Sequence, residues 1–444
     1  MNLNGKKRWE ICLFSAIGLA LYELAAESSF FLMESFFILT AFFFPAEERK
    51  LLFSPTVFVK NSLCLFTPIW TVWTTIGIYL IWEIVSVAYS SYPQGTAEKY
   101  RVVLLMAGLS FLFLQSDKIH SNGIEMLEKT MMYAGTAAAA IGLLHAFIPD
   151  IYPVLYGKRI SLRIDYNLFS QVILMGMTAG IQLVRKKRFA RPFEFGLILL
   201  CAPAIVLSSS RRNTVFLIVV LLLRMADELF LKKSEKKKRT LARWLLLFVL
   251  IFFITAALQW GLNRQYERLM QREVEIALQS AGSALERYEP GKKEQGSSKR
   301  KLIWSIAAEE YLSFSDSEKI FGKGFGYDRL LYQISDSEEL TQAYSAESRK
   351  NLSAHCFVLT DLLNGGAVQA VLGVSIWVQI GVYLLKMLLE KQEDGMFFIV
   401  TLGMVFLNNL ISNRYGFLYD KYFWLLLCGL TMKNKTESLR QAEK

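Results

Sequence analysis

Repeated apolar runs, each close to the length that crosses a lipid bilayer, constrain this chain more than any other feature. A helix needs about 20 apolar residues to span the hydrocarbon core. Runs of about this length recur along the 444 residues, 53% of the chain is hydrophobic, and the mean hydropathy is +0.31. The sequence therefore predicts an all-α integral membrane protein with many spans.

The runs divide into twelve predicted transmembrane helices. The last two are the weakest, because Asn408 and Asn409 interrupt one and Asp420 and Lys421 interrupt the other. The predicted spans cover residues 9–26, 28–45, 66–89, 102–116, 128–148, 167–184, 193–208, 213–231, 243–261, 366–388, 396–412 and 417–432.

Clusters of lysine and arginine predict the orientation of these spans. They lie before the first span and after the sixth, eighth and twelfth, at residues 6–8, 185–191, 232–243 and 433–435. With twelve spans all four clusters fall on one side, which the positive-inside rule assigns to the cytoplasm. Both termini are then cytoplasmic, and the net charge of +11 reflects these loops rather than nucleic-acid binding.

One long hydrophilic stretch, residues 262–365, falls outside the cell in this topology, between spans nine and ten. The predicted organisation is a bundle at 1–261, this extracytoplasmic loop, a second bundle at 366–432 and a cytoplasmic tail at 433–444. Within the loop, residues 265–288 carry apolar side chains at spacings of three and four, which predicts a helix lying on the bundle or on the membrane interface.

Arginines gather at the predicted outer face. Arg211 and Arg212 lie in the very short turn SSSRRN before the eighth span, where basic residues are normally disfavoured. One interpretation is that they hold an anion; the other is that they reach lipid phosphates or pair with nearby acids. The other arginines predicted on this side are Arg159, Arg163 and Arg414.

An anion held beside a membrane bundle suggests a lipid-linked phosphate or pyrophosphate. The planar guanidinium group binds phosphate oxygens in pairs and keeps its charge. In glycosyl transfer the pyrophosphate is the leaving group, so arginines would stabilise charge that grows in the transition state.

The acceptor hydroxyl in such a reaction needs a base. The three histidines are His120 in a cytoplasmic loop, His145 near the outer end of the fifth span, and His355 where the external loop re-enters the membrane. His355 is the best placed, because an unperturbed pKa of about 6.5 lets it accept a proton near neutral pH. The alternative is a loop histidine that makes an ordinary hydrogen bond.

The segment SAHCFVLTDLLNGGAVQAVLGV, residues 353–374, resembles the histidine motif of the O-antigen ligase and polymerase superfamily. That motif runs histidine, asparagine, an aromatic-leucine pair, an acid and a glycine that opens the next span. The residues that fit are His355, Leu359, Leu362 and Gly366. The residues that depart from it are Cys356, Val358, Asn364 and Gln369.

Three further segments resemble the same superfamily, in the same order, over roughly residues 60–430. RISLRIDYNLFSQ does so through Arg163 and Asn167, and SSSRRNTVFL through Ser210 and Arg211. Residues 300–329 resemble a loop segment with a tryptophan and three glycines, here Trp304, Gly322, Gly324 and Gly326.

The resemblance implies a metal-independent, inverting transfer of a glycan from undecaprenyl pyrophosphate to an acceptor hydroxyl at the outer face of the bacterial cytoplasmic membrane. It implies no cofactor. The implied partners are the lipid-linked donor, a glycan or lipid acceptor and membrane lipid, with a chain-length regulator and a flippase as candidate protein partners. Arg211 and His355 become the candidate catalytic residues. The candidate pyrophosphate or glycan ligands are Arg212, Arg163, Arg159 and Arg414.

Polymerase and ligase differ in the acceptor, and the departures from the ligase-type histidine motif favour a polymerase. A lipid-linked oligosaccharide flippase is a rival, but we expect a flippase to show internal repeats and charges in the middle of its spans. Neither is apparent in the sequence. A peptidoglycan glycosyltransferase is another rival, with a catalytic aspartate in the long external loop as its distinguishing feature.

Two other patterns in the external loop have ordinary interpretations. GKGFG, residues 322–326, lacks the context of a phosphate-binding loop and is predicted to be a turn between helices. The triplet DSE occurs at 316–318 and 336–338, where a solvated loop is favoured over a metal site.

Overall fold

A computed structural model describes residues 68–92, 103, 106–107, 123–147, 159–161, 166–231, 237–279, 296–350, 352–411 and 416–442. Every regular element in these ranges is a helix, as the sequence predicts. The predicted spans 9–26 and 28–45, and most of 102–116, lie outside the described residues. The chain divides into two compact units: unit 1 holds the described residues from 124 to 279, and unit 2 holds those from 68 to 123 and from 296 to 442.

Unit 1 consists of long helices, and those before residue 237 lie close to the predicted spans. A π-helical turn, Asp227–Leu231, continues α5. The helices are α2 (Gly123–Phe147), α3 (Tyr166–Arg185), α4 (Arg191–Leu207), α5 (Arg211–Ala226) and α6 (Lys237–Gln279).

Helix α3 lies at the centre of unit 1, and 89% of its most apolar stretch is buried. Glycines bring its backbone against α2: a Cβ atom added at Gly135 would lie 2.8 Å from the Cα atom of Gly176. Small residues allow this close approach in membrane bundles, where van der Waals packing rather than the hydrophobic effect holds helices together.

Helix α6 corrects one prediction. A span at 243–261 and a separate surface helix at 265–288 were expected, but a single helix of 43 residues runs from Lys237 to Gln279. A lone glycine such as Gly261 costs a helix only about 1 kcal/mol, which is too little to break it here. Only 11% of the most apolar stretch of α6 is buried. Its exposed Phe252 and Phe253 therefore lie on a face suited to lipid.

A buried ion network joins α4, α5 and the π-helical turn. The Arg224 guanidinium lies 2.6 Å from a Glu194 oxygen, 2.8 Å from Asp227 and 3.0 Å from Glu228. The Trp244 indole of α6 donates to the other Glu228 oxygen at 3.1 Å. One arginine therefore compensates several acids that would be costly to bury alone.

We expect Arg224→Ala to lower the free energy of unfolding by about 3–5 kcal/mol, because it leaves buried carboxylates without their partner. Chemical denaturation of the purified protein in detergent measures this. Arg188→Ala is the control, since Arg188 is 56% exposed and pairs with Glu125 at 2.8 Å. An exposed pair contributes about 0–1 kcal/mol, so equal losses in the two variants would contradict the prediction.

Unit 2 combines long helices with the short helices of the external loop. Two of the long ones, α1 (Pro68–Ala88) and α12 (Phe357–Leu389), pack against each other. The loop helices are α7 (Gly296–Ser313), α8 (Asp316–Phe321), α9 (Tyr327–Ile334), α10 (Glu338–Ala343) and α11 (Ala346–Arg349). The helices that follow α12 are α13 (Gly395–Ile411) and α14 (Lys421–Ala442).

Helix α12 begins nine residues before the predicted span 366–388, at Phe357. It is interrupted at Gly366, whose φ of 68° and ψ of −163° are not helical. The prediction located the interruption but treated it as the start of the helix.

Four of the described helices are long and apolar enough to cross a membrane. They are Ile69–Ala88, Tyr166–Arg185, Lys237–Arg268 and Phe357–Leu389. Shorter apolar helices cover Gly395–Ile411 and Tyr422–Lys433. The chain is therefore a helical protein of membrane type, and the count of twelve spans stays a prediction.

Candidate functional site

The candidate residues divide between the two units. Arg211, Arg212 and Arg159 belong to unit 1, and His355 belongs to unit 2. Two other candidate ligands, Arg163 and Arg414, lie outside the described residues.

In unit 1 a buried polar cluster joins the first turns of α3 and α5. The Ser210 hydroxyl donates to the Asn167 side-chain oxygen at 2.8 Å. The Asn213 amide donates to the backbone oxygen of Asn167 at 2.8 Å and to the Ser170 hydroxyl at 2.6 Å. Two segments that the sequence analysis treated as separate, RISLRIDYN and SSSRRN, therefore meet in space.

The chain ahead of α3 is held beside the same turn. The backbone N–H of Ile160 donates to Leu207 at 3.1 Å, and Ser209 adopts a left-handed φ of 58°. The Arg159 guanidinium lies 4.6 Å from the centre of the Tyr166 ring, within the range of a cation–π interaction. Arg159 is thus held near the start of α3.

Arg211 is the first residue of α5 and is exposed, whereas Arg212 is half-buried. The Ser210 side chain makes no capping bond to this helix, and its hydroxyl donates to Asn167 instead. The first N–H groups of a helix carry partial positive charge and attract anions. An exposed guanidinium beside such a helix start can bind a phosphate group.

In unit 2, His355 occupies the sharp turn that leads into α12. Its φ is 52°, a left-handed conformation that is uncommon for residues other than glycine. Ser353 and Ala354 before it are buried, and His355 itself is half-buried. The same left-handed conformation occurs at Lys187, Ser209 and Lys391, so at His355 it marks the turn into α12.

Cys356 stands directly after His355, where the superfamily motif has asparagine. Burial raises the pKa of the Cys356 thiol, so the thiol stays neutral at pH 7. Its backbone oxygen accepts a hydrogen bond from Thr360 at 2.9 Å, at the start of α12. Cys356 therefore occupies the N-cap position of α12.

The stretch GKGFG is a turn between α8 and α9, as predicted, and it docks on the interruption of α12. Gly322, Gly324 and Gly326 all have positive φ values, of 74°, 93° and 86°. The N–H of Lys323 donates to the Leu363 oxygen at 3.0 Å, and that of Gly324 donates to the Asn364 oxygen at 2.9 Å.

Contacts at Gly366 explain why glycine is required there. A Cβ atom at Gly366 would overlap the backbone of Ile320, and one at Gly322 would overlap the backbone of Asn364. Asn364 also exchanges two hydrogen bonds with Asp328, at 2.9 and 3.1 Å. The glycine segment and the histidine segment thus form one structural unit, a pairing that separate motifs do not reveal.

We expect Gly366→Ala to destabilise the protein by about 2–5 kcal/mol, through backbone strain and overlap with Ile320. Gly381→Ala is the control in the same helix, because nothing lies within 4 Å of a Cβ atom added there. In a helix interior that change should stabilise by about 0.5–1 kcal/mol. Unfolding curves of both variants test this, and a tolerated Gly366→Ala would contradict it.

A charged cluster supports the docked turn. Lys323 lies 2.8 Å from a Glu310 oxygen and 3.1 Å from the Tyr327 hydroxyl, which also donates to Glu310. Burial opposes the charge of Glu310, but the hydrogen bonds from Lys323 and Tyr327 outweigh it and lower its pKa. The Lys323 ammonium also lies 4.4 Å from the Phe314 ring centre.

Both DSE segments begin helices. Ser315 and Glu318 form a reciprocal capping box at the start of α8. The Ser337 hydroxyl accepts a hydrogen bond from Leu340 at the start of α10. Serine at these positions satisfies N–H groups that a helix start leaves free.

Buried charges correct the expectation that the spans carry none. The Arg224 network of unit 1 is one example, and two acids of unit 2 are another. Glu83 of α1 is 4% exposed and Asp361 of α12 is 1% exposed. Asp361 escaped notice because α12 begins earlier than predicted, and Glu83 because it is a single acid in an otherwise apolar run. Ionisable residues buried in such helices are usually functional.

No protein-family model matches the chain, and a search of curated proteins finds none similar to it. The resemblance to the O-antigen superfamily therefore depends on the motif residues described above.

Proposed function

We propose that this protein is a glycosyltransferase that uses undecaprenyl-pyrophosphate-linked oligosaccharide at the outer face of the bacterial cytoplasmic membrane. It polymerises repeat units or ligates the glycan to a surface acceptor. One observation supports the proposal most directly: within each unit, two segments that resemble superfamily motifs pack against each other. Asn167 meets Ser210 in unit 1, and the glycine turn meets Asn364 in unit 2.

The proposed chemistry gives each candidate residue a role. Arg211 and the start of α5 bind the pyrophosphate. The further candidate ligands of the pyrophosphate or glycan are Arg212, Arg159, Arg163 and Arg414. His355 accepts the proton of the acceptor hydroxyl, whose oxygen attacks the anomeric carbon. The bond to pyrophosphate breaks with inversion, and the arginines stabilise the departing charge.

Reconstituted transfer is the decisive experiment. Purified protein in lipid nanodiscs is incubated with lipid-linked oligosaccharide, and product length is followed on a gel. A ladder of longer glycans supports a polymerase, and transfer to an added acceptor supports a ligase. Loss of long or attached surface polysaccharide in cells that lack the gene would agree, whereas unchanged polysaccharide and no transfer in vitro would refute the proposal.

A transporter of lipid-linked oligosaccharide is a second candidate, favoured by the buried Glu83 and Asp361. Transporters carry such residues along their pathway. A vesicle assay separates the candidates, because a transporter moves a fluorescent lipid-linked donor between leaflets without changing its length. Donor movement without transfer would replace the glycosyltransferase proposal.

Reporter fusions test the orientation that the proposal requires. Fusions after residues 190 and 236 should report cytoplasm, and a fusion at residue 290 should report the outside, because the basic loops stay in the cytoplasm. Paired alkaline phosphatase and green fluorescent protein fusions measure this. Reversed labels would place Arg211 and His355 on the cytoplasmic side and exclude chemistry at the outer face.

A further inference from the structure

A closed polar cluster lies between α1 and α12, within unit 2. The Tyr79 hydroxyl donates to the Oδ1 atom of Asp361 at 2.6 Å. The Gln369 amide donates to the Tyr79 oxygen at 2.9 Å and approaches the same Asp361 oxygen at 3.4 Å. All three residues are at most 3% exposed.

Among the described residues, two oxygens in this cluster have no hydrogen-bond partner: Oδ2 of Asp361 and Oε1 of Gln369. Both residues are only 1% exposed, so bulk water does not reach these oxygens to donate a hydrogen bond. A buried carboxylate oxygen without a donor is costly, and native structures seldom tolerate it. The cluster is therefore short of a donor at Asp361.

The charges around Asp361 in the described part of unit 2 do not compensate a carboxylate. The ionisable groups that act most strongly on it are Tyr79 and Glu83 from α1 and Asp328 from α9. Cys356, just before α12, also interacts with it. None of these groups is basic. Keeping Asp361 as a buried carboxylate with an unpaired oxygen would cost several kcal/mol, and such a group neutralises by taking up a proton.

Glycines decide what can fill the missing position. The Oδ2 atom of Asp361 lies directly against Gly373, and Oε1 of Gln369 lies directly against Gly365. A Cβ atom at either glycine would overlap the oxygen beside it. A hard metal cation needs about six oxygen ligands around it, which this contact with backbone does not allow. A proton needs one acceptor atom and no added volume.

We propose that Asp361, Tyr79, Gln369 and Glu83 form a buried proton-binding site, in which a proton from solvent occupies Oδ2 of Asp361 at neutral pH. Oδ1 accepts the hydrogen bond from Tyr79, and the protonated carboxyl is neutral. Glu83 discourages loss of that proton, because ionisation would bring two negative charges together. The proposal does not depend on the proposed glycosyl transfer, and its test needs no sugar substrate.

Infrared spectroscopy of the purified full-length protein tests the site, since the C=O stretch of a protonated carboxyl lies apart from carboxylate and amide bands. We expect this band at pH 7 in the wild type, shifted in D₂O and lost in Asp361→Asn. Glu310→Gln is the control and should leave it unchanged, because Glu310 is paired with Lys323 at 2.8 Å. Absence of the band in the wild type, or its survival in Asp361→Asn, would overturn the proposal.

A second variant tests the proposal if Asp361→Asn does not fold. Tyr79→Phe removes the donor to Oδ1, so the band should remain and move to higher frequency. An unmoved band would assign it to another carboxyl. Exchange of sodium for choline in the buffer should change nothing, and loss of the band on adding sodium would show a metal-binding site instead.

Discussion

Replacing His355 by asparagine is expected to slow glycosyl transfer by about 10² to 10⁴, the usual contribution of a general base. Asparagine tolerates the left-handed φ of 52° at this position better than alanine and cannot accept a proton near neutral pH. The loss should therefore appear as a lower turnover per folded molecule rather than as a lower yield of folded protein. Product length on a gel, normalised to monodisperse protein, gives this number.

Two other variants complete the test of His355. His355→Ala should show the same loss of turnover and an added instability of about 1–2 kcal/mol, because alanine fits the left-handed region poorly. Cys356→Ser changes the neighbouring residue and should keep near-normal turnover. If His355→Asn turns over like the wild type, His355 leaves the mechanism. His145 would then be tested next.

Arg211→Lys is expected to reduce transfer about tenfold to a hundredfold, although the net charge is unchanged. An ammonium group cannot reproduce the paired hydrogen bonds of guanidinium to phosphate. One hydrogen bond to a charged group contributes about 1.5–3 kcal/mol, which corresponds to that loss. Initial rates at saturating and limiting donor concentration measure how the loss divides between turnover and donor binding.

Arg212→Lys is the matched control for Arg211. Adjacent residues on a helix point about 100° apart, and only Arg211 is exposed while Arg212 is half-buried. We therefore expect the smaller loss in Arg212→Lys. Full activity in Arg211→Lys would reduce Arg211 to a determinant of membrane orientation.

The helices of unit 1 were largely predictable. The span predicted at 167–184 is the helix Tyr166–Arg185, and the one predicted at 193–208 is Arg191–Leu207. Long apolar runs have few alternatives to a helix, since a membrane leaves no water for free backbone groups. The position of Arg211 at a helix start was predictable for the same reason, because the apolar run begins directly after it.

The candidate site was predictable only in part. The sequence identified His355 at the re-entry of the external loop and GKGFG as a turn. It did not indicate the left-handed turn at His355 or the docking of GKGFG on α12. Asp361 was also missed, because α12 begins before the predicted span, and Glu83 was missed because a single acid within an apolar run gives no periodic signal.

Local composition thus determined the helical membrane class, the approximate helix bounds and the order of the motifs. Tertiary structure alone decided the break at Gly366, which depends on the backbone of Ile320, and the burial of Asp361 against Tyr79. The physical reason is the distance along the chain over which each interaction acts. Hydrophobic length acts within one segment, whereas glycine contacts and buried hydrogen bonds join residues far apart in the chain, and these exist only once α1, α12 and the external loop have packed.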